Sequence, residues 1–88
     1  MIECKTILDN IEGLHLRPSL TISQIVNQSK SKVTISTDKS TANAESIMEI
    51  AILAAGCGEE ITIVADGEDE IETMNSILGI ISKGITSI

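Results

Sequence analysis

The hydrophobic period of this chain switches back and forth between two and about 3.6, and the order of those switches restricts the fold more than any other feature. Residues 32–38, KVTISTD, alternate, with Val33, Ile35 and Thr37 on one side and Thr34 and Ser36 on the other. That is the pattern of a half-buried strand. Residues 60–66, EITIVAD, make another strand, and residues 2–8, IECKTIL, mix β-formers with polar residues as the first. Between these the spacing turns helical. Leu20, Ile22, Ile25, Val26 and Ser29 gather on one broad face. Pro18 suits a first helical turn and biases Arg17 towards an extended conformation, so this helix is expected to begin at residues 16–18. Asp38-Lys39 predicts a tight turn into a short return strand near 40–43. The run ESIMEIAILAAG reads as a second helix stopped by Gly56 and Gly58. After the turn DGED, residues Ile71, Met74, Ile77, Leu78 and Ile81 repeat at helical spacing as far as Lys83-Gly84.

The resulting order is βαββαβα. Four strands separated in this way predict an α+β fold, an open-faced sandwich whose three helices cover one face of a four-stranded antiparallel sheet. Thr34, Ser36 and Thr62 suit its solvated face. The 88 residues fit one domain, 1–88, without repeat or linker. Seventeen isoleucines and no Phe, Tyr or Trp make its core aliphatic.

Charge and inventory exclude several functions. A net charge of −7 argues against nucleic acid, and the missing aromatics remove any base-stacking platform. No apolar run approaches 18 residues and no signal segment is visible, so neither membrane insertion nor export is expected. Cys4 and Cys57 lie far apart and, with a single histidine, are too few for a zinc site. They read as small apolar groups of a reduced, cytoplasmic protein. No metal or organic cofactor is expected, since no glycine-rich nucleotide loop follows a strand.

The chemistry concentrates in EGLHLRP, residues 12–18, which holds the chain's one histidine and one proline. His15 precedes the expected helix start by one to three residues. Helix N-termini carry unpaired N–H groups and a positive partial charge that favour anions, and Arg17 adds planar donors suited to phosphate. A neutral imidazole is a competent nucleophile near pH 7. Such a site supports reversible phosphoryl transfer rather than hydrolysis, because nothing nearby activates water. A lone histidine in a loop is nevertheless most often a surface residue, and Arg17 and Pro18 are ordinary near a helix start.

GLHLRP resembles the Gly-Leu-His-Ala-Arg-Pro motif of the HPr family, the histidine-containing phosphocarriers of the bacterial phosphoenolpyruvate:sugar phosphotransferase system. The resemblance extends over essentially the whole chain, through ESIMEI and EITIVADGEDE and the order of elements. It implies that His15 accepts a phosphoryl group at Nδ1 from phospho-enzyme I and passes it to an enzyme IIA protein. Arg17 and the backbone amides of Leu16 and Arg17 would stabilise the phosphate. A protein of this kind is a monomeric carrier with a phosphohistidine intermediate rather than an enzyme with its own turnover. Leu16 stands where Ala or Thr is more familiar, Glu12 adds negative charge to the same loop, and Gln24, Asn27 and Glu49 replace lysine or small residues.

Ser46 has two compatible roles. By itself it is a helix N-cap, and Glu49 three residues on completes an S-x-x-E capping box. The resemblance adds regulatory phosphorylation by an HPr kinase/phosphorylase, placing about −2 of charge at a helix start. It also implies that Leu20, Ile47, Met48 and Ala51 form an apolar docking patch, whereas Ile50 and Leu53 or Ala54 are better core candidates. Two other functions compete. One is an HPr-like regulator acting in nitrogen-related or Ser46-dependent signalling instead of mainly in sugar uptake. The other is an acyl carrier, whose Asp-Ser-Leu context ESIM faintly resembles, but those carriers are helical bundles and the two alternating stretches argue against that fold.

Overall fold

A computed structural model of the chain describes residues 1–7, 16–53 and 59–86, with 16–18 and 82–86 described as backbone. Among them lie four strands and three helices in the order β1 (Ile2–Ile7), α1 (Leu16–Gln28), β2 (Ser31–Ser36), β3 (Thr41–Asn43), α2 (Ile47–Leu53), β4 (Glu60–Gly67) and α3 (Glu70–Thr86). The strands form one sheet in the order β1-β4-β2-β3, with every pairing antiparallel. β4, the last strand in sequence, therefore lies between β1 and β2.

The period-two pattern sets the register. Ile63 stands between Cys4 on β1 and Ile35 on β2, and Ala65 between Ile2 and Val33. Val33, Ile35, Ala42, Ile61, Ile63 and Ala65 are all buried on this face. The helices cover it with Ile22 and Val26 from α1, Ile50 from α2, and Met74, Ile77 and Ile81 from α3. On the opposite face run two rows: Glu3, Val64, Thr34 and Asn43, then Lys5, Thr62, Ser36 and Thr41. All eight are half or fully exposed. Sliding one strand by a residue would exchange these faces and put isoleucines into water, which is why the register is firmly specified.

Helical spacing overestimated the apolar face of α3. Ile71 is 67 % exposed, whereas Thr73 is 3 % exposed. The buried stripe runs through Thr73, Met74, Ile77 and Ile81, and Ile71 sits on its flank, roughly 100° from its centre. On α1 the buried stripe includes Ser19 and Ser23, small side chains that let the helix lie close to its neighbours α2 and α3.

The junction of β2, β4 and α3 is held by one carboxylate. Asp69 precedes α3, and its side chain accepts the Lys30 amide at 3.0 Å and the Ser31 hydroxyl at 2.5 Å. These bonds hold the Asp69 carboxyl below its ordinary pKa, the Ser31 hydroxyl contributing most and the Lys30 amide next. Gly67 pairs with Ser31 in the same corner. A Cβ there would lie 2.5 Å from both the Lys30 carbonyl oxygen and the Ser31 Cα, so a close approach of backbones requires the glycine.

Candidate functional site

α1 begins at Leu16, the residue directly after His15. His15, with the rest of 8–15, lies outside the described residues, as do Ala54 and Cys57 within 54–58. The observed start agrees with the sequence expectation of 16–18. Leu16, Arg17 and Pro18 form the first turn, in which the Leu16 and Arg17 N–H groups have no acceptor within the helix and Pro18 has no N–H, and that turn holds no acidic residue. Its dipole is thus not offset by a carboxylate from the turn itself. Arg17 contributes the one basic residue of that turn. A helix start of this kind can hold an anionic group attached to the residue before it.

Ser46 caps α2. Its hydroxyl oxygen accepts the Glu49 amide at 3.2 Å, and its carbonyl accepts the Ile50 amide at 3.1 Å as the helix begins. The reciprocal half of the capping box is rerouted. Glu49 Oε1 accepts the Asn43 amide at 2.9 Å, and the Ser46 amide donates to the Asn43 carbonyl at 3.0 Å. Asn43 Oδ1 in turn accepts the Glu45 amide at 3.0 Å. Asn27 Nδ2 donates to the Ser23 carbonyl at 2.8 Å and to the Glu45 carbonyl at 3.1 Å. That side chain ties the last turn of α1 to the segment entering α2, a link between residues 18 apart that sequence spacing could not reveal.

Of the four apolar residues expected to dock partners, Leu20 is 42 % and Met48 67 % exposed, while Ile47 and Ala51 are half-buried. Ile52, which sequence reasoning did not single out, is 73 % exposed. It stands four residues after Met48, on the same face of α2. Ile50 is fully buried and Leu53 packs against the core, as expected of residues on the inner side. Among the described residues no three His, Cys, Asp or Glu side chains gather as a metal site, and no helix is long and apolar enough to cross a membrane.

Comparison with known proteins gives this arrangement a context. A family profile described as "PTS HPr component phosphorylation site" matches residues 2–83. The chain is 37 % identical over 83 residues to the phosphocarrier protein HPr of Cupriavidus necator, covering 94 % of this chain and 93 % of that protein. The crystal structure of a Thermoanaerobacter tengcongensis HPr is similar with a TM-score of 0.87 at 30 % identity, covering 96 % and 94 % of the two chains. The Bacillus subtilis catabolite-repression protein Crh, solved as a domain-swapped dimer, is similar with a TM-score of 0.73 at 32 % identity, covering 96 % and 97 %.

Proposed function

The chain belongs to the PTS HPr family of phosphocarriers, and on that premise we propose that His15 is the group through which it carries phosphate. In this reading the Nδ1 lone pair, on the tautomer protonated at Nε2, attacks the phosphorus presented by phospho-enzyme I. The N–P bond forms as the donor's bond to phosphorus breaks, and the same exchange in reverse hands the group to an enzyme IIA protein. The observation that carries this is the start of α1 directly after His15, with a first turn that contains Arg17 and no carboxylate. The Leu16 and Arg17 amides and the Arg17 guanidinium supply donors to the phosphoryl oxygens, which lowers the energy of the charged intermediate. The role is that of a carrier consumed and regenerated in each transfer, acting as one cytoplasmic domain in sugar uptake.

Incubation with phosphoenolpyruvate and cognate enzyme I tests this directly. The chain should take up one acid-labile phosphoryl group, and His15→Ala should abolish it. Labelling that survives the substitution refutes the assignment. Leu20 and Met48 form the docking patch, with Ile47 and Ala51 beneath its edge. The working form is proposed to be a monomer, and the mass from sedimentation equilibrium at working concentration checks it against the swapped dimer described for Crh.

A regulatory reading is favoured by the likeness to Crh and by the place of Ser46 as the cap directly before α2. Ser46 is then the acceptor of an HPr kinase/phosphorylase, whose action would be seen as an acid-stable phosphoryl group lost in Ser46→Ala. Failure of every enzyme IIA protein to take phosphate from His15, together with binding to a dedicated regulator, would favour this role over sugar transport.

A further inference from the structure

β1 forms one edge of the sheet and pairs with β4 alone, so one side of its backbone keeps N–H and C=O groups without a strand partner among the described residues. Its inner row is left incomplete by that position. Ile2, Cys4 and Thr6 are half-buried, whereas Ile61, Ile63 and Ala65 beside them on β4 are buried. The alternate row, Met1, Glu3, Lys5 and Ile7, is exposed, Met1 at 79 % and Ile7 at 52 %. Glu3 and Lys5 carry no ion pair among the described residues. This row reads apolar, acidic, basic, apolar, an order that complements itself when reversed. Antiparallel pairing about a two-fold axis at Cys4 sets Met1 against Ile7 and Glu3 against Lys5, each pair occurring twice. Other alignments fail. An axis at Glu3 sets two glutamates face to face, and an axis at Lys5 does the same with two lysines. An axis between two residues sets the exposed row of one copy against the inner row of the other, so the two helix layers fall on opposite faces.

We propose that the outer edge of β1 binds the same edge of a second copy of this chain, joining two sheets of four strands into one of eight about a two-fold axis at Cys4. β1 stays on its own β4, which separates this pairing from a domain swap of the kind described for Crh. The free backbone groups of the two edges bond to each other, and the half-buried inner rows meet, Ile2 against Thr6 and Cys4 against its own copy. Lysine on an edge strand ordinarily guards against such pairing. Lys5 does so against every alignment except the one that brings Glu3 opposite it, so the charges select the register as well as the partner. An edge of six residues is a small interface, so the pairing is reversible and monomers predominate at working concentration. α2 packs on β3 at the other edge of the sheet, and its outward face stays uncovered in the pair.

Sedimentation equilibrium tests this on the full chain, in a series reaching roughly a hundredfold above working concentration, for the unaltered chain, E3K, K5E and the variant carrying both changes. The mass of the unaltered chain should rise from monomer towards dimer along the series. E3K sets lysine against lysine twice across the axis, and K5E sets glutamate against glutamate twice. Each should raise the dimer dissociation constant roughly tenfold. The double variant restores both pairs with their signs exchanged and should return the constant to near its starting value. General repulsion between acidic chains predicts otherwise for E3K, which lowers the net negative charge and would then tighten association. A monomer mass for the unaltered chain throughout the series overturns the proposal. So does a dimer that E3K leaves unchanged or strengthens, since a swap that keeps every β1–β4 contact, or association by net charge, would behave in that way. A double variant no tighter than the single ones overturns it as well, because Glu3 and Lys5 then do not face each other.

Discussion

Gly67→Ala provides a direct test of how the sheet is joined to its helices. The added methyl group would stand 2.5 Å from the Lys30 carbonyl oxygen, 2.5 Å from the Ser31 Cα and 2.7 Å from the Ser31 Oγ. Two of these are backbone atoms and cannot rotate away, so β2 or β4 must shift. The third belongs to the hydroxyl that donates to Asp69, so the shift also disturbs the anchor of α3. Over-packing of this kind costs about 1–3 kcal/mol, and restricting the unfolded chain returns about 0.4–1 kcal/mol. The net loss is about 1–2 kcal/mol, which for a domain of this size lowers the Tm by roughly 5–15 °C. Thermal and urea unfolding followed by circular dichroism measure it, with an unchanged m-value showing that stability alone has moved. Phosphoryl uptake well below the Tm should be unaffected. Gly67 faces the strand that follows the C-terminal end of α1, and a helix of 13 residues puts its first turn about 20 Å away. A Tm that stays level or rises would show that the corner relaxes around a methyl group and would refute the close-approach argument.

Two further outcomes follow from the caps. Ser46→Ala removes the acceptor for the Glu49 amide and should cost about 1 kcal/mol in urea unfolding, without changing uptake of phosphate by His15→Ala-sensitive labelling. Asp69 gives a pH dependence. Because its folded pKa lies below the ordinary 3.8, its contribution to stability is fully present above that value and is lost as pH falls through the lower folded value. Unfolding measured between pH 6 and pH 2 should therefore show a loss of stability below about pH 4 that is smaller in Asp69→Asn.

What the sequence displayed well were the features decided by neighbouring residues. Val33, Ile35, Ile61 and Ile63 alternate because a strand has period two, and each was found on the buried face. Pro18 located the helix start correctly because its ring constrains only adjacent backbone. Ser46 was legible as a cap for the same reason, but the route taken by Glu49 to Asn43 was not, since it depends on how β3 enters α2. Asp69 looked like an ordinary turn residue, and its partners Lys30 and Ser31 lie 39 and 38 residues away. The exposure of Ile71 and Ile52 depends on which side of each helix meets the sheet, which apolar identity alone does not express. His15 stands out only through resemblance to a motif, because one histidine before a helix has no periodicity to mark it, and it lies outside the described residues.

The order of strands in the sheet also bears on how the protein is made. A ribosome delivers β1, α1, β2, β3 and α2 before it delivers β4, yet β4 is the strand that joins β1 to β2. Ile2 and Ile7 meet Ala65 and Glu60, so the first strand waits through more than fifty residues of synthesis for its partner. During that wait α1 has no completed floor beneath Ile22 and Val26. Assembly in successive N-terminal pieces is closed to such a topology, because loop closure must come before the long-range pairing that rewards it. The growing chain must remain unfinished and isoleucine-rich until residues 60–67 are free, and its sheet then closes as a unit. The helix α1 thus gains its full set of packing partners late in synthesis, although it is encoded early.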